Sequence, residues 1–533
     1  MSQRRIMAYL VELDLLGPAD QEVTLYFSDI PVRPFPSTDP DRPNQRYDNR
    51  LLEAPSMSLD IFADASRLAG NLGVGRLTLS NADGALNQYR GWAFRTVRVW
   101  WGEPAQRSFA AFRPFLAGRA ETPTWAISAS QPSRLVVPVY DARLDLERDI
   151  QETTFAGTNV GPDGYEGGPD DLRNRVKPLA LGDLVTANIP LVWVNGPAQV
   201  GQVHDGEIEE LSGLYDRGAD ANLIEDGDES GVDFDDAEPD AGHLVTDLGR
   251  GLVKVNQDFG GDVTVGVKGA VDLVPAAGYL DTVPPQIRAL ILRRNPEASI
   301  GTSFTALTAT ETAKAGLYIP DRMAVRQAVQ LFAAGLPGWV LPDPLGTWQI
   351  GKLRLPSGTA DRIIRPVDVI SITPGDRQVS IPCWKVTVRG ERYYRTHTRQ
   401  SLAESLWDTE DEARLREEWR EAVAEDTALR DRWWPNVREV VVDTALRDPA
   451  DMQLVADLLF DVMSVRPDET PWEEYLVTLE MDEEWLDLVA TPGLGKAHVQ
   501  LIYPPDGIDR LMIVMGAAPG RPAGHQITLR VWG

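Results

Sequence analysis

The sequence predicts a mainly β chain with α/β insertions: several β-barrel or β-sandwich domains, a helical α/β segment, and a multidomain organisation. Three observations predict it. Short alternating or β-branched runs recur through the first 275 residues, separated by Gly, Pro and Asp-Gly turns. From residue 284 the hydrophobic period lengthens toward the roughly 3.6 residues of a helix. At 533 residues the chain is too long for one core, and roughly three or four domains are expected. The composition shifts divide it into a β-rich domain at 1–165, a second β domain at 166–275, a small α/β domain at 276–360 and a C-terminal α+β domain at 361–533.

In the first division "AYLVELDL" and "EVTLYFSD" read as strands around the turn "GPAD". "VGRLTLSNADGALN" is a strand stopped at Asp83-Gly84, and "RTVRVWWGEP" alternates Val97, Val99 and Trp101 before Gly102. "RLVVPVYDARLDLERDI" is a strand that ends in charge. The proline-dense "SDIPVRPFPSTDPDRPNQRYDNR" is excluded from a sheet interior, and such loops commonly reach toward neighbouring subunits. The glycine-rich stretch 155–170 marks the first boundary.

In the second division "DVTVGVKG" alternates Val263, Val265 and Val267. Residues 220–240 hold 10 acidic residues and no basic one, and read as a solvated loop. Beyond 284, "PPQIRALILRR" is a short helix. "DRMAVRQAVQLFAAGLPG" is another, with Val325, Val329, Phe332 and Leu336 on one face, Asp321 as N-cap, and Gly335 or Gly338 at the stop. "GWVLPDPLGTWQIGKLRLPSG" is a two-strand pattern.

The last division opens with the strand "CWKVTVRGERYYRTH". A long helix is expected from Ser401, with Glu404 completing a capping box and Leu415, Trp419 and Val423 at helical spacing. "DPADMQLVADLLFDVMSV" is a helix capped by Asp448, with Pro449 in its first turn and Met452, Val455, Leu459 and Val462 buried. Three strands close the chain, "KAHVQLIYPP", "RLMIVMG" and "GHQITLRVWG", so Trp532 and Gly533 are expected in a sheet.

With 80 acidic against 52 basic residues the net charge is −28, which repels nucleic acid and anionic membranes. DNA is thus expected only in transit. The single cysteine, Cys383, excludes an intramolecular disulfide and a cysteine-based zinc site. Glu12 and Asp14 interrupt the first apolar run, which reads as a strand rather than a signal peptide. No run of about 20 apolar residues predicts a membrane-spanning helix.

The usual signatures of chemistry are missing. "GLGKAH" lacks phosphate-loop spacing, and "GNLGVG" at 70–75, which does not lead from a strand into a helix, reads as a flexible turn. There is no G-x-S-x-G and no H-E-x-x-H. His204, His243, His397, His498 and His525 are scattered, and Cys383 with His397 is the sole Cys/His candidate, with the cysteine in a strand rather than at a helix N-terminus. Asp226, Asp228, Asp233 and Asp235 do not follow a Ca²⁺-loop order. "SNADGALN" is first of all a turn. No catalytic, cofactor-binding or metal-ligating residue is assigned, and no enzymatic activity is expected. The 15 tryptophans include the pairs Trp100-Trp101 and Trp433-Trp434, in which one ring faces the core and the other is exposed or buried in an interface.

One ordered series of segments stands out: "LGVGRLTLSNADGALN", "YDARLDLERDIQETTFAGT", "GYEGGPDDLRNRVKPLALGDLVTANIPLVWVN", "GQVHDGEIEELSGLYDRG", "FTALTATETAKAGLYIPD", "LPGWVLPDPLGTWQIGKLRLP" and the closing "ITLRVWG". It resembles the tail-tip (baseplate) hub proteins of long-tailed bacteriophages and gene transfer agents. It departs from them at "VTVRGERYYRTH", where the family often shows Val-x-Tyr-Arg-Arg-Asn, and in the length of the acidic stretch 220–240. The resemblance implies a structural virion protein at the distal tail tip, assembled in the host cytoplasm. It implies a trimeric ring that touches the distal tail protein, the tail tube or tape-measure protein, and spike or fibre proteins, with a channel for DNA ejection. On that reading Arg173, Arg175 and Lys177 pair with acidic residues of a neighbouring domain or subunit. The alternatives are a carbohydrate-binding or carbohydrate-cleaving tail protein, and a peripheral baseplate or fibre adaptor.

Overall fold

The computed structural model describes residues 6–56, 58–61, 73–127, 132–159, 164–275, 278–520 and 524–533. The flexible turn expected at 70–75 falls partly outside these residues.

The first sheet begins and ends on the same short stretch of chain. Asp48–Asn49 pairs with Glu22–Ser28 at one end of the strand order, and Leu51–Glu53 pairs with Val74–Ser80 at the other. Arg50 alone separates the two, so the sheet closes on itself as a barrel, and closure removes its free edges. Between them lie Ala8–Leu16, Ala93–Gly102, Phe112–Ala120 and Arg134–Tyr140, whose inward residues Leu13, Val97, Val137 and Val139 are fully buried.

Register settles the first tryptophan pair. Trp101 lies opposite Tyr9 and enters the barrel core, while Trp100 lies opposite Leu10 on the outer face. Both rings are buried in this chain, because the proline-dense loop folds back and lays Phe35 and Tyr47 over the outer face. Arg42 fastens the loop: it bonds the buried carboxylate of Glu12 at 2.6 Å and covers the Phe109 ring at 4.7 Å.

Leu179–Pro190 is the spine of the second region. Its first four residues pair with Gly316–Ile319, and the rest pair with Val263–Ala270. Gly182 sits where the two partners meet, at φ +73°, and a Cβ there would lie 2.1 Å from the Ala315 carbonyl. One residue later Val192–Asn195 enters a second five-stranded sheet with Val200–Gln202, Leu252–Val255, His243–Asp247 and Ile224–Asp228. Leu184, Ile189, Val203, Val253 and Val265 fill the space between the two sheets.

The acidic stretch is folded, which corrects the expectation of a solvated loop. Ile224–Asp228 runs parallel to His243–Asp247, and Val232–Asp236 is a short helix with Phe234 fully buried. Its acidic side chains still face water. A single apolar anchor in a charged run is invisible to composition.

Helices Val283–Arg294 and Val325–Ala334 form as predicted, with Val325, Val329, Phe332 and Leu336 buried and Gly335 as C-cap. Asp321 is not the N-cap. Ala324 takes that position, since it bridges to Asp149 and the Val325 N–H bonds the Arg148 carbonyl, which holds the preceding residues extended. The hairpin Gly338–Pro342 with Trp348–Lys352 follows.

The long helix from Ser401 does not form. Thr398 and Ser401 make the capping box of one short turn, Thr409 caps the helix Glu410–Arg416, and Arg420–Glu425 is a strand on Cys383–Gly390. Tertiary bonds claim this backbone: Ala403 N–H bonds the Arg217 carbonyl, the Glu418 carbonyl accepts the Tyr393 N–H, and Val423 pairs opposite Thr387. Helix Pro449–Met463 forms as expected, capped by Asp448 and burying Met452, Val455, Leu459 and Val462.

The last sheet has the order Arg362–Ile364, His498–Tyr503, Ile508–Pro519, Gln526–Trp532, Glu474–Glu480, Val369–Pro374. The C-terminal strand is interior to it, and Gly533 exchanges backbone bonds with Glu473. Leu59–Asp60, from the first region, pairs with Gly516 and Ala517 of this sheet. The architecture is mainly β with helical insertions and barrel-like sheets.

Candidate functional site

Most of the chemically suggestive residues have structural partners, while both ring nitrogens of His397 are buried without a hydrogen bond among the described residues. Cys383 opens its strand fully buried, with Sγ 3.0 Å from the Lys385 carbonyl, and burial raises its thiol pKa, the wrong direction for a nucleophile. His397 is buried, and burial lowers its pKa; its charged neighbours are Asp262 and Arg395. Among the described residues no hydrogen bond joins it to Cys383. His204 is fully buried, with Nδ1 accepting the Ala180 N–H at 3.0 Å and Nε2 3.7 Å from Asp272. His243 meets Asp226 at 2.6 Å. The backbone N–H of His498 bonds Asp361, and His525 stacks on Tyr9 beside Trp101.

Asp226, Asp228, Asp235 and Asp83, weighed as cation ligands, are engaged by protein groups. Asp228 accepts the Leu248 N–H at 2.8 Å, and Asp83 is paired with Arg50 at 2.6 Å. Arg250 spans Asp235 and Asp247. Lys254 sends its ammonium into the carbonyls of Phe234, Asp235 and Ala237 at 2.8 to 3.0 Å. These two cations clamp the acidic helix onto the sheet. Among the described residues no group of three or more His, Cys, Asp and Glu could hold a metal, and no helix is long and apolar enough to cross a membrane.

The cationic loop behaves unevenly. Lys177 pairs with Glu166 at 2.8 Å and covers the Phe155 ring, so its partner is local rather than in a neighbouring domain. Arg173 and Arg175 stay exposed, and among the described residues neither makes an ion pair.

Two features are left open toward solvent. The first is an edge of the last sheet. Arg362–Ile364 and Val369–Pro374 stand at opposite ends of the strand order, yet only residues 365–368 join them. Both line one cavity of about 760 Å³, together with Leu479, Glu480, Asp482, Glu484 and Trp485. Val367 is 86% exposed, and Ile363, Ile370 and Leu476 are also open to water. Arg362 bonds Asp482 at 2.5 Å and covers the Trp485 ring at 3.8 Å, so that ring is not available to stack on a sugar. The sequence marks this place only weakly, because the strands that separate the two edges in the sheet, and the far wall of the cavity at 479–485, lie more than a hundred residues away. The fragment "RIIRPVDVISITP", with apolar residues on both pleats of a proline-broken run, was the one local signal.

The second feature is Trp434. Asp426 caps helix Thr427–Trp433 through the N–H groups of Ala428 and Leu429, and the chain leaves that helix at Trp434, a residue 73% exposed. Trp433 is partly covered. The Trp433-Trp434 pair thus differs in exposure, at a helix end rather than along a strand, but Trp433 is only half-buried and joins no core cluster among the described residues.

No family model matches the chain, and no curated protein matches it. Solved structures with a similar course of chain include the tail protein of Neisseria meningitidis MC58, at 11% identity over 98% of this chain and 96% of that one, with a TM-score of 0.37. A 43 kDa tail protein of prophage MuSo2 from Shewanella oneidensis matches at 9% identity over 98% of both chains, with a TM-score of 0.39. The prophage tail protein gp18 from Listeria monocytogenes EGD-e matches at 8% identity over 98% of this chain and 94% of that one, with a TM-score of 0.38. Likeness at this level carries no argument about function, which rests on the residues themselves.

Proposed function

We propose that the chain is a structural subunit of a bacteriophage tail tip, forming the hub ring at the distal end of the tail tube and having no catalytic role. The observation that carries this reading is that the fold is left incomplete at its surface. Trp434 presents a nearly bare indole, and one sheet ends in apolar strands that no other strand covers among the described residues. Exposed aromatic and strand-edge surface of this kind is what an assembly buries. The ordered segments that resemble hub proteins build the buried framework here: Leu179, Leu181 and Ile189 of the spine, and Ile527, Leu529 and Val531 of the last strand.

The remaining features fit the same role. A net charge of −28 keeps a passing DNA from adhering to the ring. The partners are two further copies of the chain, the distal tail protein and tube above, and spike or fibre proteins below. The test is electron microscopy of assembled particles carrying a tagged chain. Density for the tag in a ring at the distal tip supports the reading, and label elsewhere on the particle overturns it.

A further inference from the structure

We propose that the groove between the two open edges of the last sheet receives an extended, lysine- or arginine-rich segment of a partner protein, added as a strand beside Val369–Pro374. This goes beyond the ring reading and does not depend on it.

The link between the edges is long enough to admit one strand. Two inter-strand spacings come to about 10 Å. The link 365–368 spans at most about 18 Å from Ile364 to Val369 when extended. Both edges line the same cavity, so an inserted segment would meet both.

The walls set the chemistry of the occupant. Ile363, Val367 and Ile370 offer apolar contact to one face of such a segment. Asp361, Asp368, Glu480, Asp482 and Glu484 outnumber Arg362 and Arg365 around the cavity, and Arg362 is already held by Asp482 and Glu484. A second copy of this edge would set like charge against like, whereas alternating apolar and basic residues satisfy both the wall and the rim. Pro374 lacks an N–H and the strand is only six residues long, so few main-chain bonds are on offer at its open edge. Charge then supplies much of the affinity, and binding weakens as salt rises.

The test uses the full-length protein and a ten-residue peptide of alternating Lys and Val, compared with its Glu-for-Lys counterpart by fluorescence anisotropy. The basic peptide is expected to bind, with affinity falling at high salt, and the acidic one is not. The double variant V367K/I370K alters exposed side chains and should weaken binding at least tenfold with its far-UV spectrum unchanged. The control D233K/D236K, on the separate acidic helix, should leave binding as it was. The proposal is overturned if both peptides bind alike, if the control weakens binding as much as the groove variant, or if no peptide binds. It is also overturned if V367K/I370K dissolves an oligomer of the chain, since the occupant is then a second copy. An intact ring with no peptide binding rejects the groove alone.

Discussion

The ammonium of Lys254 lies 5.1 Å from the ring centroid of Phe234 and donates to the carbonyl of the same residue at 2.8 Å. The Phe234 carbonyl also accepts the Ala237 N–H, so the cation supplements that bond and supplies the partner for the Asp235 and Ala237 carbonyls at the end of a five-residue helix. Phe234 is the apolar pin and Lys254 the polar one. Phe234→Ala is expected to cost about 3–5 kcal/mol, and Lys254→Met about 1–3 kcal/mol through the carbonyls left unbonded. Limited proteolysis should then cut within 224–240 in both variants before the remainder of the chain.

The same cap should loosen in acid. Hydrogen bonds from Arg250 hold the Asp235 carboxyl below its ordinary pKa. The unfolded chain therefore takes up that proton more readily, so the contribution is present above the unfolded value near 4 and is lost as pH falls through the lower folded value. Hydrogen exchange in 224–247 should speed up over that acid range. Asp235→Asn should flatten the dependence, and an unchanged profile would count against the clamp.

Gly182 makes a sharper test of the spine. Its φ of +73° and the Ala315 carbonyl 2.1 Å from any Cβ leave no room for a side chain. Backbone strain alone costs an alanine about 1–2 kcal/mol, and the clash adds to it. Thermal unfolding of Gly182→Ala should occur well below that of the parent, whereas Gly196→Ala, with open space around its Cβ, should stay within about 0.5 kcal/mol of it.

Local pattern was enough where the local code and the tertiary contacts agree. Val263, Val265 and Val267 alternate and are buried in a strand, and Asp448-Pro449 opens a helix whose apolar face meets the sheet. The pattern misled at Trp419 and Val423: Leu415 is helical, but the helix stops at Arg416, where the Glu418 carbonyl accepts the Tyr393 N–H and Val423 pairs opposite Thr387. Barrel closure at Arg50 is not legible in the sequence and the open edge at 362–374 only faintly, because each depends on which distant strands become neighbours. Trp100 shows the same limit: its outward face was foreseen, but the loop that covers it comes from residues 35–47.

Trp434 should matter to association and not to folding. At 73% exposure its ring contributes little to the lone chain, so Trp434→Ala should change stability by less than about 0.5 kcal/mol. A central interface tryptophan commonly costs 2 kcal/mol or more when truncated, roughly thirtyfold or more in affinity. Denaturant titration and sedimentation of the same variant separate the two effects.

The most direct measurement is the solution mass of the purified chain by light scattering across a concentration series. A trimeric ring gives a species of three times the 58.8 kDa chain mass, which Trp434→Ala shifts toward the monomer. A 58.8 kDa species at every concentration, which also fails to join isolated tail tubes, would contradict it.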